Sequence, residues 1–242
     1  MPVQKTADQA TDERTRPSRR APLIAAAVAI AAALAVTLAV GVGGGDDTAG
    51  GPGNGAVAEV SAENDTTKAA TVLDRPFTKP DLVLTDTKGQ KFDLRAQTKG
   101  KPTLIYFGYT HCPDVCPMTM SNIAVAKKEL PKADQDKLQV VFVTTDPERD
   151  TPAELAKWLP AAGDPSFTGL TGDFSAIQAG ARQMGIGIDP PKKENGKVVS
   201  MHGAQVIAFS PTTDQGYVLY GEDTTVEDYA KDLPKLIKGE NP

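Results

Sequence analysis

Residues 106–117 read Tyr106-Phe107-Gly108-Tyr109-Thr110-His111-Cys112-Pro113-Asp114-Val115-Cys116-Pro117. The chain of 242 residues has only two cysteines and two histidines, and this stretch holds all of them except His202. Thiol or soft-metal chemistry is therefore confined to this stretch and to His202. Two cysteines form at most one bridge, which excludes a small scaffold held together by several disulfides.

The residues around the cysteines predict a strand, a loop and a helix. Residues 103–109 are an apolar run typical of a buried strand, and residues 118–130 have the apolar spacing of a helix that ends in charged residues. Pro117 suits the first position of that helix, where its missing N–H costs nothing. This arrangement makes Cys116 the helix cap and leaves Cys112 in the loop before it.

Two cysteines near a helix N-terminus are suited to metal or redox chemistry. The oriented N–H groups there stabilise thiolates, so we expect a lowered pKa for both sulfurs. A spacing of i and i+4 in a helix-like turn allows Cα atoms about 6 Å apart, within disulfide range. Cys112 and Cys116 could thus bind a soft metal when reduced or form a disulfide when oxidised.

The rest of the chain predicts a mixed α/β domain over residues 72–242. The predicted elements are a hairpin of residues 81–85 and 91–94, a second buried strand at 138–144, helices at 152–159, 174–184 and 225–237, and a late hairpin of residues 198–209 and 217–220. Strand, helix and strand in succession form a right-handed parallel crossover. A βαβ unit followed by helices and then ββα is the layout of the thioredoxin fold, here with an N-terminal hairpin extension.

The N-terminal part predicts a membrane anchor. Residues 23–40 carry no charge and would span roughly 27 Å as a helix, close to the thickness of a bilayer core. Four arginines within residues 1–20 precede the run, so the positive-inside rule leaves this tail in the cytoplasm and places the rest outside. We expect residues 21–42 to be an uncleaved, single-pass signal anchor in the cell membrane; a cleaved secretory signal is the alternative.

Residues 43–71 follow as a predicted flexible linker. Eight glycines fall within residues 41–55, and a flexible coil of about thirty residues has an r.m.s. reach of about 30 Å. The net charge of -5, with 24% charged residues, argues against a basic nucleic-acid binder.

Two motifs resemble the Sco (SenC/PrrC) family of copper proteins that assist cytochrome c oxidase assembly. Residues 109–117 are similar to its cysteine motif, and residues 146–152, which read Asp-Pro-Glu-Arg-Asp-Thr-Pro, are similar to a second family stretch. His202 lies at the start of a late strand, where the family has its histidine ligand. It is followed by Gly203, where the family pattern has serine.

The resemblance implies a copper site formed by Cys112, Cys116 and His202, which holds Cu(I) or Cu(II). Two thiolates and an imidazole also favour copper or zinc over magnesium or calcium. The implied partners are cytochrome c oxidase subunit II, whose binuclear site would receive the copper, and a copper donor protein. A polar loop at residues 190–197 precedes His202, and we expect it to move when metal binds.

Neighbouring residues leave alternatives open. Asp146 follows a buried strand and could tune the cysteines or contact the partner; it could also serve only an Asp-Pro turn that leads into the next helix. His111 is expected to be a loop residue, and Tyr106 a core residue of its strand.

Two other functions use the same cysteines. The alternative to copper delivery is a thiol-disulfide reductase that keeps the cysteines of subunit II reduced for metallation. A peroxidase of the same fold fits less well, because Pro113 stands where its motif requires threonine. The pattern thus favours a metal carrier over a turnover enzyme and leaves open a thiol-disulfide oxidoreductase.

Overall fold

The computed structural model describes residues 69–194, 197–199 and 203–242. The predicted tail and anchor (1–20 and 21–42) and His202 lie outside the described residues. Along the described part of the chain, every helix is too short or too polar to cross a bilayer.

Ten strands and six helices are described. The strands are β1 (Ala70–Thr78), β2 (Val83–Asp86), β3 (Lys91–Asp93), β4 (Thr103–Gly108), β5 (Gln139–Thr144), β6 (Thr168–Thr171), β7 (Lys192–Glu194), β8 (Lys197–Val199), β9 (Val206–Phe209) and β10 (Gln215–Tyr220). The helices are α1 (Leu94–Gln97), α2 (Val115–Glu129), α3 (Lys132–Lys137), α4 (Pro152–Ala162), α5 (Phe174–Gln183) and α6 (Val226–Lys238).

Eight of the strands form one mixed sheet in the order β1-β10-β9-β4-β5-β6-β2-β3. β4 and β5 are parallel, joined by α2 and α3, while β9 and β10 are antiparallel neighbours followed by α6. The predicted parallel crossover and the ββα ending are therefore confirmed. The fold is thioredoxin-like, with β2 and β3 as the predicted hairpin at one edge.

Helix starts follow local capping chemistry. Thr151 caps α4 by accepting from the Glu154 N–H, and Pro152 takes the first helical position. Thr225 and Asp228 form a reciprocal capping box at the start of α6. These caps fix where the helices that cover the sheet begin.

The structure differs from the prediction at the start of the domain and in the late hairpin. β1 begins at Ala70, inside the segment 43–71 predicted as linker, and pairs antiparallel with β10. The predicted continuous strand 198–209 is broken, because β8 pairs with β7 in a separate two-stranded sheet and β9 starts only at Val206. Asp74, Arg75 and Pro76 interrupt the apolar pattern of β1, and β7 and β8 are only three residues long, so the alternation by which strands are predicted is weak in all three.

The two faces of the central sheet bury different side chains. The face covered by α2, α4 and α6, here called the cysteine face, includes the strand residues Leu104, Tyr106, Val140, Phe142, Val206, Ala208, Val218 and Tyr220. The opposite face, here called the α5 face, includes Ile105, Phe107, Val141, Val143, Leu170, Ile207 and Phe209. Strand alternation thus sends alternate residues of β4 to opposite faces.

Candidate metal centre

The two cysteines lie where β4 ends and α2 begins. Cys112 is in the connecting loop, as predicted, whereas Cys116 is the second residue of α2 and not its cap, because Asp114 is the N-cap. Pro117 is consequently the third helical residue. Its missing N–H still costs little there, since none of the first four N–H groups of a helix has an intrahelical partner.

The fold brings the two sulfurs together. The backbone N–H of Cys116 donates to Cys112 Sγ at 3.4 Å, and the Cys112 N–H donates to the Tyr109 carbonyl at 3.2 Å. No disulfide joins the two cysteines; Cys112 is 8% exposed and Cys116 is fully buried. An approaching molecule therefore reaches Cys112 more readily than Cys116.

Cys116 Sγ rests against the backbone of β4. A Cβ atom at Gly108 would lie only 2.8 Å from this sulfur, so the absence of a side chain at Gly108 makes room for it. The hydroxyl of Tyr106, two residues earlier on the same face, donates to Cys116 Sγ at 3.4 Å. Tyr106 thus touches the site, which sequence reasoning missed when it assigned this residue to the core alone.

Ionisation of Cys116 differs from the prediction. Its pKa is raised, first because of its hydrogen bond with Cys112 and second because burial disfavours the charged thiolate; the hydrogen bonds from Tyr106 and the Tyr109 backbone oppose this without cancelling it. The expected lowering is therefore wrong for Cys116 in the metal-free protein. Burial, followed by the neighbouring Cys116, also raises the pKa of Tyr106, which keeps its phenol protonated.

A single buried carboxylate holds the cysteine loop in place. Asp150 accepts from the Thr110 N–H at 2.9 Å and from the hydroxyls of Thr110 and Thr144, each at 2.6 Å. Asp150 has no exposed surface. It ties the residues just before Cys112 to the end of β5. Sequence reasoning missed this role, although Asp150 lies in the second motif, four residues after Asp146.

Asp146 is also buried, at the end of β5. Its carboxylate forms an ion pair with Arg149, and its N–H donates to the hydroxyl of Thr144 at 2.9 Å. These contacts shape the turn after the strand. The predicted role of Asp146 toward the cysteines or a partner stays a prediction.

His111 is half-exposed beside Cys112, and its Nδ1 lies 3.0 Å from the Thr110 hydroxyl oxygen. That hydroxyl gives its one proton to Asp150, so it accepts a hydrogen bond from His111. His111 is thus a loop residue, as predicted.

The donor set fits a soft metal ion, since two largely buried sulfurs lie beside Tyr106 and Gly108. Within the described residues, no three His, Cys, Asp or Glu side chains form a metal-binding group. The third predicted ligand, His202, lies outside those residues.

Comparison with known proteins agrees with this geometry. The family model SCO1/SenC matches residues 70–238. ScoI of Bradyrhizobium japonicum, solved with copper bound, is 33% identical, with a TM-score of 0.57 over 67% of this chain and 98% of that one. Apo Sco1 of Thermus thermophilus is 30% identical, with a TM-score of 0.60 over 69% of this chain and 96% of that one.

The mitochondrial protein SCO2 of Saccharomyces cerevisiae is 32% identical over 136 residues, which are 55% of this chain and 43% of the yeast protein. The match thus spans less than half of that relative. Sco proteins form a family of cytochrome c oxidase assembly proteins, and some have been solved with copper bound. Because the family model covers nearly all of the described domain, the chain belongs to the SCO1/SenC family.

Proposed function

We propose that this protein is a membrane-anchored copper chaperone that delivers copper to the binuclear site of cytochrome c oxidase subunit II during oxidase assembly. One observation carries the proposal: the two thiols lie side by side in a largely buried pocket, with Cys116 N–H only 3.4 Å from Cys112 Sγ. Family membership and the copper-bound relatives support the choice of metal.

The copper ligands proposed are Cys112, Cys116 and His202. Thiolates favour Cu(I), and the imidazole widens the site to Cu(II). His202 lies 86 positions beyond Cys116 in the chain, so bound copper would join the late hairpin region to α2. Transfer would proceed by ligand exchange, in which sulfur ligands of subunit II replace Cys112 first because it is the more accessible thiol.

The placement proposed is the extracytoplasmic side of the cell membrane. Residues 21–42 would anchor the chain, and the glycine-rich segment that follows would let the domain reach about 30 Å from the bilayer. A copper donor protein would load the site on that side. The uncharged run and the preceding arginines support this arrangement.

Copper titration of the full chain with reduced cysteines tests the site. We expect one Cu(I) equivalent for the wild type and at least tenfold weaker binding for His202→Ala, because one of three ligands is lost. His111→Ala is the matched control, since it removes the other histidine, and it should bind like the wild type. Equal affinity of the wild type and His202→Ala would remove His202 from the site.

Transfer is tested with the copper-loaded full chain and the apo form of the subunit II copper domain. The expected result is loss of copper from this protein as the absorption of the binuclear site appears. Retention of the copper under reducing conditions would contradict delivery.

A second function, reduction of subunit II, is favoured by one observation. The two thiols are adjacent and not joined by a disulfide, so their oxidation could pass two electrons and two protons to a disulfide of subunit II. Copper-free protein should then reduce oxidised subunit II, and His202→Ala should be as active as the wild type. Cys112→Ser should be inactive. Copper delivery without such reduction would exclude this second function.

A further inference from the structure

A tyrosine hydroxyl lies against one of the two proposed sulfur ligands. Tyr106 is 1% exposed, and its Oη donates to Cys116 Sγ at 3.4 Å. A metal-bound thiolate has no proton to give, so in a loaded site the hydroxyl must be the donor.

The surrounding packing keeps this hydroxyl in place. Tyr106 and Gly108 face α2 from the same side of β4, and Cys116 Sγ occupies the space that a Gly108 side chain would fill. The Tyr106 ring packs against Phe142, with ring centroids 6.1 Å apart. Because Tyr106 and Cys116 are both buried, we expect no solvent molecule to replace the hydrogen bond if the hydroxyl were removed.

A hydrogen bond to a ligand sulfur changes the electronic state of the metal. Hydrogen bonding around a cysteine ligand is one of the features that set the potential of copper–thiolate sites. Sulfur carries more negative charge when bound to Cu(I) than when bound to Cu(II), because Cu(II) withdraws more of its electron density. The donor therefore stabilises the Cu(I) state more than the Cu(II) state.

We propose that Tyr106 is a tuning residue that favours Cu(I) in this site through its hydrogen bond to Cys116. The inference rests on the proposed copper function and concerns which oxidation state is carried. In the redox step, one electron would pass to bound Cu(II) from an added one-electron donor of the ene-diol class, such as ascorbate, which leaves as its oxidised radical. Tyr106 gains or loses no electron itself.

The test is Tyr106→Phe in the full chain, with copper stoichiometry measured first. Loss of the hydroxyl should shift the Cu(II)/Cu(I) equilibrium about tenfold toward Cu(II), which is ~59 mV for a one-electron couple. The thiolate-to-Cu(II) charge-transfer band should move to lower energy, because the sulfur becomes richer in electrons. Copper stoichiometry should stay that of the wild type.

Tyr220→Phe is the matched control, since Tyr220 is buried on the same face but its hydroxyl donates to Asp232. It should leave the band and the potential unchanged. An unchanged band and potential in Tyr106→Phe would overturn the inference while leaving copper binding intact, whereas failure of the wild type to bind copper would overturn the proposed function itself.

A second variant covers the case in which Tyr106→Phe does not fold. Fluorotyrosine at position 106 keeps the ring and is a stronger donor, so it should move the band and the potential in the opposite direction. Shifts in the same direction as Tyr106→Phe, or none, would contradict tuning through this hydrogen bond.

Discussion

The cysteine face and the α5 face of the sheet are built from the same strands, yet both cysteines pack against the cysteine face. On β4, Ile105 and Phe107 join an apolar layer with α5, while Tyr106 and Gly108 border the sulfur of Cys116. Side chains that alternate along a single strand therefore have two different roles. One set stabilises the fold, and the other shapes the site.

Mutations on the two faces should have different effects. A change on the α5 face should lower the free energy of unfolding and leave the copper site of the folded protein intact. A change on the cysteine face should alter the site even where its cost in stability is smaller.

Phe107→Ala should have the largest effect on stability. Truncation of a fully buried phenylalanine costs about 3–5 kcal/mol, because apolar contacts are lost and a cavity remains. Urea unfolding measures the loss, and copper stoichiometry of the folded variant should equal that of the wild type. A folded Phe107→Ala with impaired copper binding would break the division between the faces.

Asp150→Asn should loosen the loop that carries Cys112. The amide has one acceptor oxygen in place of two, so at least one of three donors from Thr110 and Thr144 loses its partner. We expect a loss of about 2–3 kcal/mol in unfolding free energy together with weaker copper binding. Asp173→Asn, at the exposed N-cap of α5, is the control and should leave copper binding unchanged. Wild-type copper affinity in Asp150→Asn would show that the loop holds its geometry without this carboxylate.

Gly108→Ala should damage the site more than the fold. The added Cβ would meet Cys116 Sγ at 2.8 Å and the Tyr106 ring at 2.9 Å. Overpacking of this kind costs about 1–3 kcal/mol, and displacement of the sulfur should weaken copper binding. Gly187→Ala is the matched control, since a Cβ there meets nothing within 4 Å. Equal copper affinity in the two variants would contradict the tight fit at Gly108.

Asp232→Asn should give the smallest effect, visible only as a pH dependence. Burial raises the pKa of Asp232 above its usual 3.8. At pH values between the pKa of the unfolded chain and the raised pKa of the folded state, Asp232 binds more protons in the folded state than in the unfolded chain. Its contribution to the unfolding free energy therefore falls as the pH rises through this range.

In Asp232→Asn the side chain no longer ionises, so this loss of unfolding free energy with rising pH is absent. Its unfolding free energy relative to the wild type should therefore rise from pH 3.5 to pH 7, as measured by urea unfolding at both pH values. Parallel behaviour of the two proteins would show that Asp232 ionises as readily in the folded state as in the unfolded chain.

Much of the core could be read from the sequence because its signals are local. The apolar run of β4, the helix pattern of residues 152–159 and the i, i+4 cysteines each predict their structure from a few neighbouring residues. β1 was not predicted, because its pairing with β10 depends on a partner far away in the chain. The break in the late strand was not predicted, because β7 and β8 are each only three residues long.

The candidate site divides in the same way. The cysteines are found from residue type and spacing, whereas the contact of Tyr106 with Cys116 needs the helix to be placed over the strand. The raised pKa of Cys116 could not be predicted either, because the effects of burial and of the Cys112 hydrogen bond depend on tertiary packing and outweigh the local helix terminus.

The contact between Asp150 and Thr110 also has a consequence for the order of folding. These residues are forty positions apart, and closing a loop of that length costs about 3 kcal/mol of chain entropy. The crossover from β4 through α2 to β5 lies within this loop, and its packing must offset that cost. The segment before Cys112 should therefore become ordered only after the crossover is complete, and pulsed hydrogen exchange should protect the Thr110 amide no earlier than the amides of β5. In a nascent chain, the cysteine loop would then acquire its folded geometry only after Asp150 has been synthesised.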